Sequence, residues 1–108
     1  MKQNNGHILM AHDNGTAIGM ICAWVTEDDD LLLRDDKRKH AYVSDIFVTE
    51  AWRGKKVAQT LLKEIENIMR QRGCQRMRIC SKASNTPAIT FYKGSGYIPY
   101  ETTFSKEI

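Results

Sequence analysis

The chain has 108 residues and a formal net charge of +3. A chain of this length has room for one domain, and folding buries about two-thirds of the surface of such a chain. The longest clearly apolar run, residues 17–25, is too short for a membrane-spanning helix of about 20 residues, and residues 1–5 are polar, unlike a signal peptide. We therefore expect one cytoplasmic domain over residues 1–108 that has no membrane partner.

The cysteines and histidines do not form a pattern typical of a metal site. The three cysteines are an odd number and include no C-x-x-C pair, and no histidine lies near them at the spacing of a zinc finger. We therefore predict free thiols and no bound metal.

Charge is unevenly distributed along the chain. Residues 1–50 contain five Lys or Arg against nine Asp or Glu, a net charge of −4, whereas residues 51–108 contain eleven against four, a net charge of +7. The second half is therefore suited to an anionic ligand, although a solvated helix face and an acidic loop would give the same distribution.

Two strands joined by a tight turn are predicted first. Residues 7–12 and 17–26 are rich in apolar, β-branched and aromatic residues, and Asp13-Asn14-Gly15-Thr16 separates them. Asn-Gly between two such runs is a strong signal for a β-hairpin. The charged stretch that follows, residues 27–39, is expected to be a loop.

A third strand and a long helix follow the loop. Alternation over residues 41–48 predicts a strand with Val43, Asp45 and Phe47 on one face. From Lys55 the apolar residues recur at spacings of three and four, which predicts an amphipathic helix.

The remaining elements are shorter. After Gly73, which suits a helix C-terminus, residues 75–81 are predicted to form a strand, and Asn85 is placed to cap a second helix. Residues 97–104 are predicted to form a final strand or pair of strands, broken near Pro99. The alternation of strands and helices predicts a single α/β domain.

The start of the first predicted helix has the features of an anion site. The first N–H groups of a helix have no acceptor within it, and the helix dipole places about half a positive charge there. The segment Arg53-Gly54-Lys55-Lys56-Val57-Ala58 adds three cations, although such residues are also common on solvated surfaces. The absence of G-x-x-x-x-G-K-[ST] and G-x-G-x-x-G spacings argues against a nucleoside triphosphate or a dinucleotide.

Several motifs occur in the order found in the Gcn5-related N-acetyltransferase (GNAT) family, which the chain resembles. They are Asp45-Ile46-Phe47-Val48, Arg53 to Ala58 with Leu61-Leu62, Asn85-Thr86-Pro87-Ala88, and Phe91-Tyr92-Lys93-Gly94-Ser95-Gly96-Tyr97. The resemblance implies an α/β (α+β) domain with a mixed, mostly antiparallel sheet and helices packed on it. It also implies that the chain lacks the first strand and the first two helices of the family.

The resemblance implies acetyl-CoA as the co-substrate. In the family, the main chain of one strand pairs with the pantetheine arm, and the amides of the following loop hold the diphosphate. The residues implied here are Ile46, Phe47 and Val48 for the pantetheine arm, Arg53, Gly54, Lys55, Lys56, Val57 and Ala58 for the diphosphate, and Asn85 and Tyr92 near the cofactor.

Two departures from the family pattern bear on function. Lys56 stands at the usual central glycine of the motif R/Q-x-x-G-x-G/A, so its side chain must point outward if the main chain is to approach a diphosphate. The first strand and helices ordinarily wall the acceptor site. Because their absence would leave a sheet edge and part of a face uncovered, we expect a homodimer in which the partner supplies this wall.

The implied reaction is direct attack of a neutral amine on the thioester, which requires deprotonation of the amine, stabilisation of an oxyanion and protonation of sulfur. By resemblance, Tyr92 protonates the thiolate, although an aromatic residue that packs the last helix on the sheet would fit the periodicity. Asp45 is a candidate for binding the ammonium or accepting its proton, or else a solvated carboxylate. Glu50 is a weaker candidate, and main-chain N–H groups near Phe47 and Val48 are candidates for the oxyanion.

The leading functional hypothesis is an N-acetyltransferase that acts on a primary amine of a small molecule or peptide. The alternative is a catalytically weak or inactive acyl-CoA-binding or assembly module of the same fold. Nucleic-acid binding by the basic helix, residues 55–72, is disfavoured, because Glu64 and Glu66 interrupt its cations and no aromatic stacking platform is evident.

Overall fold

The computed structural model describes residues 6–27 and 39–108. The predicted hairpin is confirmed: β1 spans Gly6–Asp13 and β2 spans Thr16–Glu27. Asn14 and Gly15 join them with φ angles of 49° and 83°. Positive φ at both central residues is what a two-residue turn needs to match the twist of its strands. Most of the predicted loop at 27–39 lies outside the described residues.

The four described strands form one sheet in the order β1-β2-β3-β4. β3 spans Lys39–Val48 and β4 spans Arg76–Ile79. β2 is antiparallel to both β1 and β3, whereas β4 runs parallel to β3. The prediction of a mixed, mostly antiparallel sheet is therefore confirmed.

The helix α1, Val57–Gln71, covers one face of this sheet, which we call the core face. Its buried side chains recur at helical spacing, as the sequence predicts, and pack against the strands. They are Leu61, Leu62, Ile65 and Met69. The helix begins two residues later than expected because Lys56 has a φ of 65°, which is left-handed. The helix ends at Gln71, and Gly73 follows its C-terminus in the predicted left-handed conformation, with a φ of 91°.

A bulge in β3 overturns the predicted alternation of that strand. The adjacent β2 residues Cys22 and Ala23 pair with Asp45 and Val43, which leaves Ser44 as an extra residue in the ladder. Because side chains alternate between the two faces of a strand, one extra residue exchanges the faces of all those that follow.

Phe47 lies on the sheet face opposite α1, which we call the outer face. Its neighbour Ile46 pairs with the fully buried Ile21 and packs against the core, whereas Phe47 is 54% exposed. The prediction that Val43, Asp45 and Phe47 share one face is wrong, because Val43 precedes the bulge and the other two follow it.

The second helix, α2, spans Thr86–Gly94, and Asn85 caps it as predicted by accepting a 3.3 Å hydrogen bond from the amide of Ala88. Phe91 of α2 and Tyr97 beyond it pack against the core that α1 and the sheet share. Within the ranges described, no helix is long and apolar enough to cross a membrane.

Residues 97–108 form neither helix nor strand, so the predicted final strand is wrong. Pro99 lacks an N–H to donate to a ladder. Side chains hold the segment instead: the guanidinium groups of Arg76 and Arg78 lie 4.9 and 5.1 Å from the ring centre of Tyr100. Arg78 also forms an ion pair with Glu101.

Candidate functional site

The strands β3 and β4 separate before β3 ends. Their pairing runs from His40 with Arg76 to Val43 with Ile79, where β4 ends, and β3 continues to Val48. In the described part of the chain, the last five residues of β3 therefore have no β4 partner, and main-chain groups on this edge remain available for a ligand.

A cleft of about 220 Å³ opens at the point where the two strands separate. Its lining residues are Val43, Ser44, Asp45, Ile46, Ile79, Cys80 and Tyr92. Three predicted site residues, Asp45, Ile46 and Tyr92, therefore lie around one cleft although they come from a strand and a helix far apart in sequence.

Tyr92 approaches the cleft from α2. Burial raises the pKa of its phenol above the ordinary value, because the charged phenolate is poorly solvated there. The Phe91 and Tyr97 rings have centres 5.5 and 6.3 Å from that of Tyr92. A half-buried phenol that keeps its proton is suited to donate it to an anion formed in the cleft.

Ser44 and Cys80 line the cleft but were not predicted as site residues. Ser44 is the bulged residue, and its hydroxyl donates a 3.3 Å hydrogen bond to the carbonyl of Cys22. Cys80 directly follows β4, and its hydrogen bond is the main cause that raises the pKa of Tyr42. The parallel register places Tyr42 beside Arg78, but a single sequence carries no signal for that register or for the bulge.

The start of α1 presents main-chain N–H groups, as the sequence predicts. The first bond within the helix runs from the amide of Thr60 to the carbonyl of Lys56 at 3.0 Å, so the amides of Val57 and Ala58 precede it and have no acceptor in the helix. Lys56 contributes no side-chain cap to this described helix end. Its left-handed φ is the conformation that the family's glycine would adopt most readily.

Two basic residues of the loop contact the protein itself. The Nε of Arg53 donates a 3.1 Å hydrogen bond to the carbonyl of Val48, which ties the loop to the end of β3. The Nζ of Lys55 lies 5.2 Å from the ring centre of Trp52. Arg53 therefore has a positioning role that the sequence did not indicate.

Gly19 of β2 allows α1 to pack closely against the end of β3. A Cβ at this position would lie 3.1 Å from the carbonyl oxygen of Phe47, 3.2 Å from Val57 and 3.3 Å from Leu61. The absence of a side chain thus sets the distance between the helix start and the strand that leads from the cleft.

Other predicted residues lie outside the cleft lining. The amide oxygen of Asn85 is engaged in capping α2, the side chain of Phe47 is on the outer face, and Glu50 is exposed at the start of a short 3₁₀ helix, Glu50–Trp52. Phe47 and Val48 continue β3 beyond the cleft.

Comparison with known families shows the family to which the chain belongs. A family model described as the acetyltransferase (GNAT) family matches residues 1–97. The chain therefore belongs to this family, which confirms the resemblance seen in the sequence.

Individual relatives are distant in sequence and similar in fold. The chain is 25% identical over 100 residues to an uncharacterized N-acetyltransferase of Methanocaldococcus jannaschii; the match covers 90% of this chain and 41% of that relative. The chain thus spans about two-fifths of the length of that relative.

Among solved structures, the aminoglycoside acetyltransferase AAC(6')-Iy in complex with the bisubstrate analog CoA-S-monomethyl-acetylneamine has a TM-score of 0.83 and 20% identity, over 97% of this chain and 70% of that one. A putative acetyl transferase from Pyrococcus furiosus has a TM-score of 0.83 and 24% identity, over 95% of this chain and 66% of that one. At these identities the comparison shows a shared fold.

Proposed function

We propose that the chain transfers an acetyl group from acetyl-CoA to a primary amine. The observation that carries this proposal is the cleft between the separated ends of β3 and β4, lined by Asp45 and Tyr92. From Asp45 the strand runs about 10 Å to Val48, at about 3.3 Å per residue, and leads into the loop before α1. One continuous path therefore joins a proton donor, a free strand edge and an uncapped helix start.

The residues present fit a CoA molecule along this path. At the free edge of β3, Ile46 and Val48 offer main-chain groups for the amides of the pantetheine arm. The carbonyl of Val48 already accepts the hydrogen bond from Arg53, and the carbonyl of Phe47 faces β2 at Gly19. The loop from Arg53 to Ala58 offers the diphosphate the unpaired amides at the helix start and the charge of its cations. Acetyl-CoA supplies the activated acetyl group as a thioester.

The side chains at the cleft have distinct roles in this proposal. Asp45 attracts the ammonium form of the acceptor, which must lose a proton to Asp45 or to water before its nitrogen attacks the acetyl carbon. The carbon–nitrogen bond forms as the carbon–sulfur bond breaks, and Tyr92 gives its proton to the sulfur. The products are the N-acetyl amine and free CoA, and main-chain N–H groups of Phe47 and Val48 are the candidates for stabilising the carbonyl oxygen.

The decisive experiment combines binding with turnover. Titration calorimetry should detect CoA binding, and a thiol assay should detect CoA release that depends on an added amine. No heat and no thermal shift at millimolar CoA would reject the cofactor assignment. Binding without product for any amine would favour the alternative, an acyl-CoA-binding or assembly module.

The assembly state is also a proposal. The border strands β1 and β4 of the described sheet offer edges for a second copy of the chain, which supports a homodimer whose partner borders the acceptor site. Light scattering that shows a monomer at high concentration would contradict it. A single domain over residues 1–108 and a cytoplasmic location stay predictions.

A further inference from the structure

The outer face of the sheet carries two rows of side chains that cross three strands. Residues directly opposite one another in antiparallel pairs point to the same face, so the register defines these rows. The first row is Phe47, Met20 and Met10, and the second is Asp45, Cys22 and Ile8. We call these six residues the acceptor platform.

Three apolar side chains of the platform are accessible, whereas Cys22 is buried, at 7% exposed. Ile8 is 61% exposed, Met10 47% and Phe47 54%. The other exposed large hydrophobic residues in the described part of the chain all lie in the C-terminal segment, residues 98–108. A contiguous exposed apolar area of this kind marks a binding surface more often than an isolated exposed side chain does.

Asp45 connects the platform to the cleft. It is the only acidic member of the two rows, and it also lines the cleft beside Tyr92. The bulge at Ser44 is what turns its carboxylate to this face. An amine bound at Asp45 therefore lies at the cleft, and a substituent on that amine extends over Phe47 and Met20.

The charges on the rest of the outer face disfavour a polycation. Toward the opposite end of the strands the face presents Arg76 and Arg78, and the nearby Glu101 is paired with Arg78. Among the described residues of this face, the further ammonium groups of a polycation would lie over apolar side chains or near these arginines, which costs free energy of desolvation and repulsion.

Building on the proposed function, we infer that the acceptor is a primary monoamine carried on an apolar body. Its ammonium group lies at Asp45, and its apolar part covers Phe47 and Met20. Aminoglycosides and polyamines are the poorer acceptors in this scheme. The single carboxylate of the platform pairs with one ammonium group, and its apolar side chains cannot pair with the remaining ammonium groups.

The first test compares acceptors on the unmodified chain. Phenethylamine should have a kcat/KM about 10-fold or more above those of methylamine, spermidine and kanamycin, since even partial burial of a phenyl ring is worth about this factor. Each assay measures CoA release from acetyl-CoA under the same conditions.

The second test assigns the preference to the platform. Phe47→Ala should lower the ratio of kcat/KM for phenethylamine to that for methylamine about 5-fold or more, which is within the usual worth of a buried aromatic contact. The ratio cancels any change in CoA binding. Phe104→Ala is the matched control because Phe104 is 89% exposed and lies outside the platform, and it should leave the ratio unchanged. Met20→Ala, which removes the side chain paired with Phe47 in the same row, should also lower it.

The outcomes separate this inference from the function beneath it. Equal or better turnover of spermidine or kanamycin would overturn the inference and leave the acetyltransferase in place. An equal ratio of kcat/KM for phenethylamine to that for methylamine in Phe47→Ala and Phe104→Ala would also overturn it. A dimer that dissociates when Phe47 is changed would overturn it too, because the outer face would then be an interface between copies. A chain that binds CoA but acetylates no amine would overturn the proposed function and the inference with it.

Discussion

The side chain of Arg53 donates its Nε hydrogen to the carbonyl of Val48 across 3.1 Å, so the first residue of the loop before α1 also ties that loop to the last residue of β3. The loop conformation thus depends on a hydrogen bond that reaches back five residues. A substitution at Arg53 tests this dependence.

Arg53→Lys keeps the positive charge but loses the Nε donor. We expect the free energy of unfolding to fall by about 1 kcal/mol and the Kd for CoA to rise about fivefold, the equivalent of about 1 kcal/mol. Chemical denaturation and calorimetry measure the two quantities. Arg70→Lys is the control, since Arg70 also donates one hydrogen bond, to Asn67, but on the exposed side of α1. If both variants kept the stability and the CoA affinity of the unmodified chain, only the charge of Arg53 would matter and not its hydrogen bond.

Lys56→Gly should relieve backbone strain. A left-handed residue with a Cβ costs about 1–2 kcal/mol, and the extra freedom of glycine in the unfolded chain offsets about 0.5–1 kcal/mol of that gain. We therefore expect a slightly higher melting temperature and equal or tighter CoA binding. Lys55→Gly removes the same charge from a residue without positive φ, and it should lower stability. An affinity loss in Lys56→Gly that grows as salt is lowered would instead show that its ammonium contacts phosphate.

Gly19→Ala tests the close approach of α1 to β3. The added Cβ would lie within 3.1–3.3 Å of a main-chain oxygen and two core side chains, so the helix start must shift. We expect a loss of about 1–3 kcal/mol of stability and weaker CoA binding. Gly94→Ala is the control, because nothing lies within 4 Å of a Cβ there. A Gly19→Ala chain that keeps full stability and affinity would contradict the packing argument.

Tyr92→Phe removes one hydroxyl and retains the ring. If Tyr92 is the proton donor, kcat should fall about 10²-fold or more while melting temperature and CoA affinity stay close to those of the unmodified chain. Because burial raises the pKa of Tyr92, the alkaline limb of the rate profile should lie above the ordinary tyrosine pKa of about 10, and it should move or vanish in the variant. Full activity in Tyr92→Phe would assign the proton to water or another group.

Tyr97 couples stability to alkaline pH. Its hydroxyl donates a 2.6 Å hydrogen bond to Glu66, and burial, this bond and the Glu66 charge all raise its pKa. The unfolded chain therefore releases this proton near pH 10 while the native chain still holds it, so stability is complete below about pH 10 and falls above it. Urea unfolding from about pH 8 to 11 should show this decline, and Tyr97→Phe should flatten it at the cost of lower stability at neutral pH. Tyr100→Phe, a change in an exposed side chain, should leave the slope as it is.

Local signals predicted most of the fold. Asn14-Gly15 specified the hairpin because a two-residue turn needs positive φ at both positions. The apolar spacing of α1 and the cap at Asn85 likewise depend on residues within one or two helical turns. In each case the interacting residues are close in sequence, so the pattern and the structure agree.

The errors concern contacts between distant residues. The bulge at Ser44 depends on how β3 pairs with β2, and no property of residues 41–48 alone shows it. For that reason the sequence pattern put Asp45 and Phe47 on the same face as Val43, whereas the structure puts them on the opposite face. The predicted final strand is wrong for a similar reason, because the ring of Tyr100 contacts two arginines of β4 and its segment joins no ladder.

Tyr100 and Glu101 contact the arginines of β4. These contacts have a consequence for solubility. β4 forms one border of the described sheet and is only four residues long, and an uncovered strand border is a template on which other chains can add strands and aggregate. Two arginines in so short a strand, with an aromatic ring and a carboxylate drawn against them, oppose such growth through charge and crowding. The C-terminal segment adds no strand to the sheet, but it thus protects the β4 border from pairing with a strand of another protein molecule.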